Sequence, residues 1–98
     1  WKITYFYNES EKTSYFNSYI FVFNSDKTVV ATKDGISVTG QWETKLEYDG
    51  RELKVNFGSG LLSKLNHEWK VFEFNNSKIH LRDISVGNNT NYLYFEKN

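Results

Sequence analysis

The two histidines, His67 and His80, are the side chains of this chain best suited to acid–base or metal chemistry near neutral pH. His67 is followed by Glu68, and His80 is followed three positions later by Asp83. A metal site needs several ligands at matched spacing, and these four residues do not form such a motif. We therefore expect no metal site. We also expect His80, which falls between two apolar residues of an alternating run, to face outward from a strand.

The sequence also contains no motif for nucleophilic catalysis or for phosphate binding. The chain has no cysteine, which removes thiol nucleophiles, disulfides and thiolate metal ligands together. No nucleophile stands beside a base in a recognisable pattern. Gly58-Ser59-Gly60 lacks the lysine and the long helix of a phosphate-binding loop. The sequence thus predicts a protein that is not an enzyme and has no cofactor.

The charge composition does not indicate a charged macromolecular partner. Twelve lysines and arginines balance twelve aspartates and glutamates, whereas a nucleic-acid site would need a concentrated basic surface. No apolar run approaches the roughly 20 residues of a transmembrane helix. We expect no nucleic-acid partner, no transmembrane segment and a single domain spanning residues 1–98.

Apolar side chains recur at every second position in eight short runs that are separated by polar turn clusters, the pattern of antiparallel strands. Asp34-Gly35 indicates a two-residue hairpin turn. Lys27 occupies a turn position that usually requires glycine and a positive φ. The connections are too short for the helices that parallel strands need. The predicted strands are 1–7, 19–24, 28–33, 36–43, 52–58, 67–74, 78–84 and 91–97.

One segment, residues 59–66, departs from the alternation. Leu61, Leu62 and Leu65 have the spacing of one short helical turn, with Ser59 as its N-cap. Eight short strands with tight connections favour closure into a barrel over the competing two-sheet sandwich, because closure removes exposed sheet edges. The predicted fold is all-β: an antiparallel up-and-down β-barrel of about eight strands, with the helical turn as a plug or lid.

Several stretches of the sequence together resemble a known family over nearly the whole chain. They are Trp1-Lys2-Ile3, Tyr19-x-Phe21-x-Phe23-Asn24-x-Asp26-x-Thr28-Val29, Val38-x-Gly40-x-Trp42, Leu53 to Gly58, Trp69-Lys70-Val71 and Tyr92-Leu93-x-Phe95-Glu96. Their spacing is similar to that of the small lipocalin-like domains of secreted and outer-membrane bacterial lipoproteins. Trp1 stands where that family carries the tryptophan of a Gly-x-Trp signature, and the signature's glycine would precede this chain.

The resemblance implies a location outside the cytoplasm: at the cell surface, in the periplasm or secreted. A lipid anchor would lie in a segment that this chain does not include. The resemblance also implies a small hydrophobic ligand as the partner that such a barrel can hold. Because the likeness rests on hydrophobic spacing and turn chemistry, it supports the fold more strongly than the function.

The high aromatic content, 18% of the residues, leaves two interpretations of the barrel interior. Most rings alternate inward, which favours an interior filled by its own side chains over one with a ligand-sized pocket. A pocket, where present, would have polar-tipped rings at its rim and the leucines of the helical turn as its cover. In the alternative interpretation the same side chains are core residues, whose rings are buried and whose polar atoms form hydrogen bonds with the backbone of the loops. These candidate ligand-binding residues are Tyr5, Tyr19, Trp42, Trp69, Leu61, Leu62 and Leu65.

Four other rings alternate out of phase with the expected core. Phe72 and Phe74 break the rhythm set by Trp69 and Val71, which indicates a β-bulge or a strand leaving the barrel. Exposed aromatic patches often mark contacts with partners, although tyrosines also suit strands and a loop could cover the rings. The candidate interaction patch is Phe72, Phe74, Tyr92 and Tyr94, with His80 on the same face.

Two functional hypotheses follow. The first is a non-enzymatic binding or accessory domain of an exported protein that holds a small hydrophobic ligand. The alternative is a structural or interaction domain with a filled barrel, whose outer aromatic patch contacts a protein, a glycan or a second copy in weak self-association. A cavity of about several hundred Å³ at one barrel end favours the first, and a closed interior with exposed outer rings favours the second.

Overall fold

A computed structural model describes residues 1–47, 50–84 and 90–97 of the chain and shows an all-β protein. Two short 3-10 turns, Thr13–Tyr15 and Leu61–Leu65, accompany the strands. All eight predicted strands are present, and the second 3-10 turn falls inside the predicted helical segment. The strands are β1 (Lys2–Tyr7), β2 (Ile20–Phe23), β3 (Thr28–Lys33), β4 (Ile36–Glu47), β5 (Gly50–Asn56), β6 (His67–Phe74), β7 (Lys78–Ile84) and β8 (Thr90–Glu96).

The eight strands form one antiparallel sheet in the order β1-β8-β7-β6-β5-β4-β3-β2. Each strand from β2 to β8 pairs with its neighbours in sequence, while β1 adds beside β8. The edge strands meet where Trp1 and Phe21 exchange backbone hydrogen bonds: Phe21 N–H donates to the Trp1 carbonyl at 2.7 Å, and the Trp1 amine donates to the Phe21 carbonyl at 3.0 Å. The sheet is thus a nearly closed up-and-down barrel, as predicted, and not a sandwich.

The tight turns have the backbone geometry that their residues predict. Asp34 and Gly35 take φ values of 54° and 77° in the hairpin between β3 and β4. Lys27 has φ 74°, which confirms the expected positive φ and costs a non-glycine residue about 1–2 kcal/mol. Asp26 stabilises that turn because its Oδ1 accepts hydrogen bonds from the Thr28 N–H and hydroxyl at 3.0 and 2.6 Å.

A bulge in β1 reverses the strand's alternation. The pairing register shifts between Ile3 and Tyr5, which leaves Thr4 as the extra residue. Beyond the shift Phe6 is fully buried, whereas the Tyr5 ring lies 5.3 Å from the Tyr94 ring on the outer surface. The prediction that Tyr5 lines the interior is therefore wrong, because strict alternation takes no account of a bulge.

A second bulge, in β6, confirms the one predicted there. The register shifts between Val71 and Glu73, so that Phe72 is the extra residue and stays on the outer side. Phe74 then pairs with the buried Ile79 and returns to the inner side of the sheet at the end of the barrel. The prediction that Phe74 belongs to the outer patch is wrong for this reason.

One apolar cluster fills most of the interior. Among the described residues, 16 buried hydrophobic side chains belong to it. Phe16, which lies outside every predicted strand, is fully buried and packs edge to face on Phe6 with ring centroids 5.2 Å apart. Gly40 allows β4 to approach the next strand closely, since a Cβ there would lie 2.7 Å from the Phe57 ring. The predicted filling of the interior by its own rings holds over most of the barrel.

Candidate functional site

One end of the barrel, which we call the closed end, is covered by the loop after β1 and by the second 3-10 turn. Trp69 is fully buried there, and its indole N–H donates to the Leu65 carbonyl at 2.9 Å. Leu62 and Leu65, which belong to this 3-10 turn, are also buried. The turn begins after Gly60 with no side-chain cap, so Ser59 is not the predicted N-cap. These residues are core side chains that seal the barrel, and the turn is a plug.

The remaining candidates near the closed end do not form a pocket either. Tyr19 is partly buried and packs its ring between Phe16 and Phe21, at centroid distances of 6.5 and 6.1 Å. The Lys33 ammonium lies 5.5 Å from the Tyr19 ring centroid. Leu61 is exposed on the outside of the turn. The structure therefore brings Tyr19, Trp69 and the three leucines to one end but fills the space between them.

The opposite end, which we call the open end, carries an apolar cavity of about 240 Å³. Trp42 is the one predicted ligand-binding residue that lines it, so the predicted set divides between the two ends and the outer surface. Phe74 also lines this cavity and leaves 68% of its surface exposed to solvent. The full lining of this open-end cavity is Trp1, Phe23, Trp42, Thr44, Leu53, Val71, Phe74 and Ile79.

The turn between β2 and β3 fixes Trp42 in the cavity wall. The Trp42 indole N–H donates to the Asn24 carbonyl at 3.0 Å, and its backbone N–H donates to the Lys27 carbonyl at 2.9 Å. Phe23 packs edge to face on the Trp42 ring with centroids 6.1 Å apart. The cavity wall on this side is thus held by backbone hydrogen bonds and ring packing, and it is preformed.

Two lysines lie over rings of the open-end cavity wall, although neither is itself a lining residue. The Lys27 ammonium is 4.4 Å from the Trp42 ring centroid, and the Lys97 ammonium is 5.4 Å from the Trp1 ring centroid. Burial lowers the pKa of the Trp1 amine, and the positive charge of Lys97 lowers that pKa further. Two rings of the apolar lining are thus each in contact with an ammonium group, a cation–π arrangement.

A polar cavity of about 440 Å³ adjoins the apolar one and shares Trp42 and Thr44 with it. It lies where β4 extends past its last pairing with β3, which joins Thr28 to Gln41. Carboxylate, ammonium, amide and hydroxyl groups all line this space. The remaining lining residues are Asp26, Lys27, Thr28, Gln41, Glu43, Lys54 and Asn56.

The outer surface of β1, β8, β7 and β6 carries a row of rings that we call the outer aromatic face: Tyr5, Phe72, His80, Tyr92 and Tyr94. Tyr94 lies at its centre, with ring centroids 5.3 Å from Tyr5, 6.1 Å from Tyr92 and 5.8 Å from Phe72. Burial raises the pKa of the Tyr94 hydroxyl. Three of the four predicted patch residues thus meet on this face, together with Tyr5 and the expected His80.

His80 connects this face to two carboxylates. Its ring stacks on Tyr94 at 4.0 Å, with 12° between the planes. Its Nδ1 lies 3.3 Å from Glu73 and its Nε2 lies 3.1 Å from Glu96, and the hydrogen bond to His80 lowers the pKa of Glu96. The carboxylates meet opposite ring nitrogens, so one metal ion could not contact all three groups. The other histidine, His67, pairs separately with Asp83 at 3.3 Å.

Within residues 1–47, 50–84 and 90–97, no three His, Cys, Asp or Glu side chains are grouped as metal ligands. In the same ranges no helix has the length and hydropathy to cross a membrane. No protein-family model, curated protein or solved structure matches the chain. The eight-stranded, nearly closed barrel is consistent with the resemblance to lipocalin-like domains at the level of architecture.

Proposed function

We propose that this domain binds a small hydrophobic ligand in the open-end cavity and acts, without catalysis, as a binding or accessory domain of an exported protein. The observation that carries the proposal is the contrast between a barrel end sealed by its own side chains and an end that leaves aromatic side chains around a cavity of about 240 Å³. The exported location rests on the resemblance to lipoprotein domains alone.

The dimensions of the cavity limit the ligand to a small one. Binding pockets for drug-sized ligands measure about 300–1,000 Å³, so this cavity holds a single ring or a short chain. A ligand of about eight heavy atoms that gains roughly 0.5–0.7 kcal/mol per atom binds with a Kd on the order of 0.1–1 mM. An apolar group that belongs to a larger molecule would gain more from contacts outside the cavity.

A titration with neutral apolar probes tests the proposal. We expect 1-octanol to shift the fluorescence of Trp1 and Trp42, measured in a Trp69→Phe background so that the buried indole does not contribute. Phe74→Ser should weaken binding several-fold, since it removes a ring from the lining. Ile36→Ser is the matched control, because Ile36 is equally exposed, at 71%, but lies at the closed end. Absence of any shift with every apolar probe would refute the proposal.

The outer aromatic face supports a second candidate function, contact with a protein, a glycan or a second copy of the chain. The observation that favours it is the continuous ring contact across four strands, with Phe72 43% exposed at its margin. Sedimentation analysis of the protein at increasing concentration tests self-association. Tyr94→Ser should abolish any association without loss of fold, whereas Tyr15→Ser, an exposed tyrosine of the first 3-10 turn, should not. Equal association of both variants would count against this face.

A further inference from the structure

We propose that the ligand of the open-end cavity is a small amphipathic anion, with an apolar chain of up to about eight carbons in the cavity and a carboxylate beside Lys27 and Lys97. This inference depends on the proposed function, since the cavity must accept the apolar chain. The volume sets an upper bound on the length: a group the size of a water molecule occupies about 30 Å³, so a space of 240 Å³ that is partly open to solvent holds at most about eight such groups.

The positions of Lys27 and Lys97 assign the charge of the head group. Their ammonium groups lie over Trp42 and Trp1, two rings of the cavity wall. Within the ranges that the structure describes, neither ammonium forms a salt bridge with a carboxylate. A ligand carboxylate beside these lysines would therefore find two cations that are already held close to the apolar lining.

Of the acidic side chains that the structure describes, none lines the open-end cavity. Asp26 accepts two hydrogen bonds from Thr28 within its own turn. Glu96 bonds to His80 on the outer aromatic face. Glu43 stands opposite Lys54 in the pairing of β4 with β5, on the outer side of the sheet. Among the described residues, the charged groups that lie over rings of the cavity wall are therefore the ammoniums of Lys27 and Lys97.

The backbone of Lys27 adds an independent observation. Its φ of 74° is a conformation in which glycine would avoid the steric cost, yet the residue is a lysine whose ammonium reaches the Trp42 ring at 4.4 Å. Strain in a non-glycine residue beside a cavity is a recurrent sign of a functional position. We infer that the lysine is present at this turn position for its charge.

Three probes with chains of similar length and different head groups test the inference: octanoate, with seven apolar carbons, and 1-octanol and octyltrimethylammonium, with eight each. We expect octanoate to bind the full chain most tightly, and its advantage over octanol to shrink as salt is raised. Lys27→Gln and Lys97→Gln should each weaken octanoate binding about two- to fivefold and leave octanol binding unchanged. Lys33→Gln, which removes an ammonium over Tyr19 at the closed end, is the matched control.

The outcomes separate this inference from the proposed function. If octanol binds as tightly as octanoate, or if the cationic probe binds best, the anion preference is overturned and the apolar site stands. If none of the three probes binds, both fall. If Lys33→Gln weakens octanoate as much as Lys27→Gln does, the charge acts through the whole molecule and the assignment of the carboxylate to Lys27 and Lys97 is overturned.

Discussion

The two ends of this barrel place the same kind of residue in different surroundings. At each end a tryptophan on an inward position donates its indole N–H to a backbone carbonyl, Trp69 to Leu65 at 2.9 Å and Trp42 to Asn24 at 3.0 Å. Trp69 is fully buried, whereas Trp42 is partly exposed and lines a cavity. The strands at the two ends are alike in chemistry, and the difference lies in what covers them.

The cover comes from the connections between strands. At the closed end, the loop after β1 contributes Phe16 and the second 3-10 turn contributes two buried leucines. At the open end, the connection of β2 to β3 is a tight turn that contributes hydrogen bonds and a lysine but no buried apolar side chain. Among the described connections, the turn between β2 and β3 therefore leaves the open-end cavity without the apolar cover that the closed end receives.

Truncation of the two tryptophans should give the largest difference between the ends. Trp69→Ala removes a fully buried ring, and we expect a loss of about 3–5 kcal/mol in the free energy of unfolding. Trp42→Ala removes a partly exposed ring and should cost about 1–2 kcal/mol. Urea denaturation followed by circular dichroism measures both. Equal losses would mean that the open end is packed as tightly as the closed one.

Replacement of each tryptophan by phenylalanine keeps a ring and isolates the hydrogen bond. Trp69→Phe leaves the Leu65 carbonyl without a donor in the core, which should cost about 1–3 kcal/mol. In Trp42→Phe water can reach the Asn24 carbonyl, so the cost should stay below about 1 kcal/mol. The same denaturation experiment reports both values, and a reversed order would contradict the assignment of the ends.

Acid should destabilise the open end before the closed end. We expect this effect to be smaller than those of the two pairs of tryptophan substitutions. Hydrogen bonds from Thr28 lower the pKa of Asp26, and the bond from His80 lowers that of Glu96; both lie toward the open end. Because the folded-state pKa values are lowered, this stabilisation is complete above the ordinary values of 3.8 and 4.5 and is lost as the pH falls through the folded-state values.

The measurement compares tryptophan emission with secondary structure during acid titration. We expect the emission of Trp1 and Trp42, read in the Trp69→Phe background, to change at a higher pH than the circular dichroism of the sheet. The double variant Asp26→Asn with Glu96→Gln should bring the two transitions together. A single coincident transition in the unmodified chain would show that acid does not distinguish the ends.

The sequence was sufficient for the architecture because each strand, turn and plug has a local signal. Alternation locates all eight strands, Asp34-Gly35 locates a hairpin, and Lys27 takes the positive φ that its turn position predicts. The two bulges mark where such reasoning ends. The bulge in β6 could be predicted because Phe72 and Phe74 depart from the alternation of the preceding residues. The bulge in β1 could not be predicted, because Tyr5 and Phe6 both suit either face of a strand.

The candidate site was predicted less well for a physical reason. Period-two alternation tells which residues face inward, but it does not tell at which end of a barrel an inward residue lies or what covers it. Trp42 and Trp69 look alike in sequence, and only the pairing registers of β4 and β6 place them apart. The rings of Trp1 and Phe23 gave no signal distinct from that of core residues, and the exposure of Phe74 was assigned to the wrong face.

The pairing of β1 with β8 has a consequence for how the chain reaches this structure. Strands β2 to β8 can assemble hairpin by hairpin from contacts close in sequence, but β1 finds its partner only at the opposite end of the chain, Lys2 beside Glu96. Pairings between distant segments form late because the entropy of closing the intervening loop must be met first. During synthesis, β1 would leave the ribosome first and be the last strand to take its place.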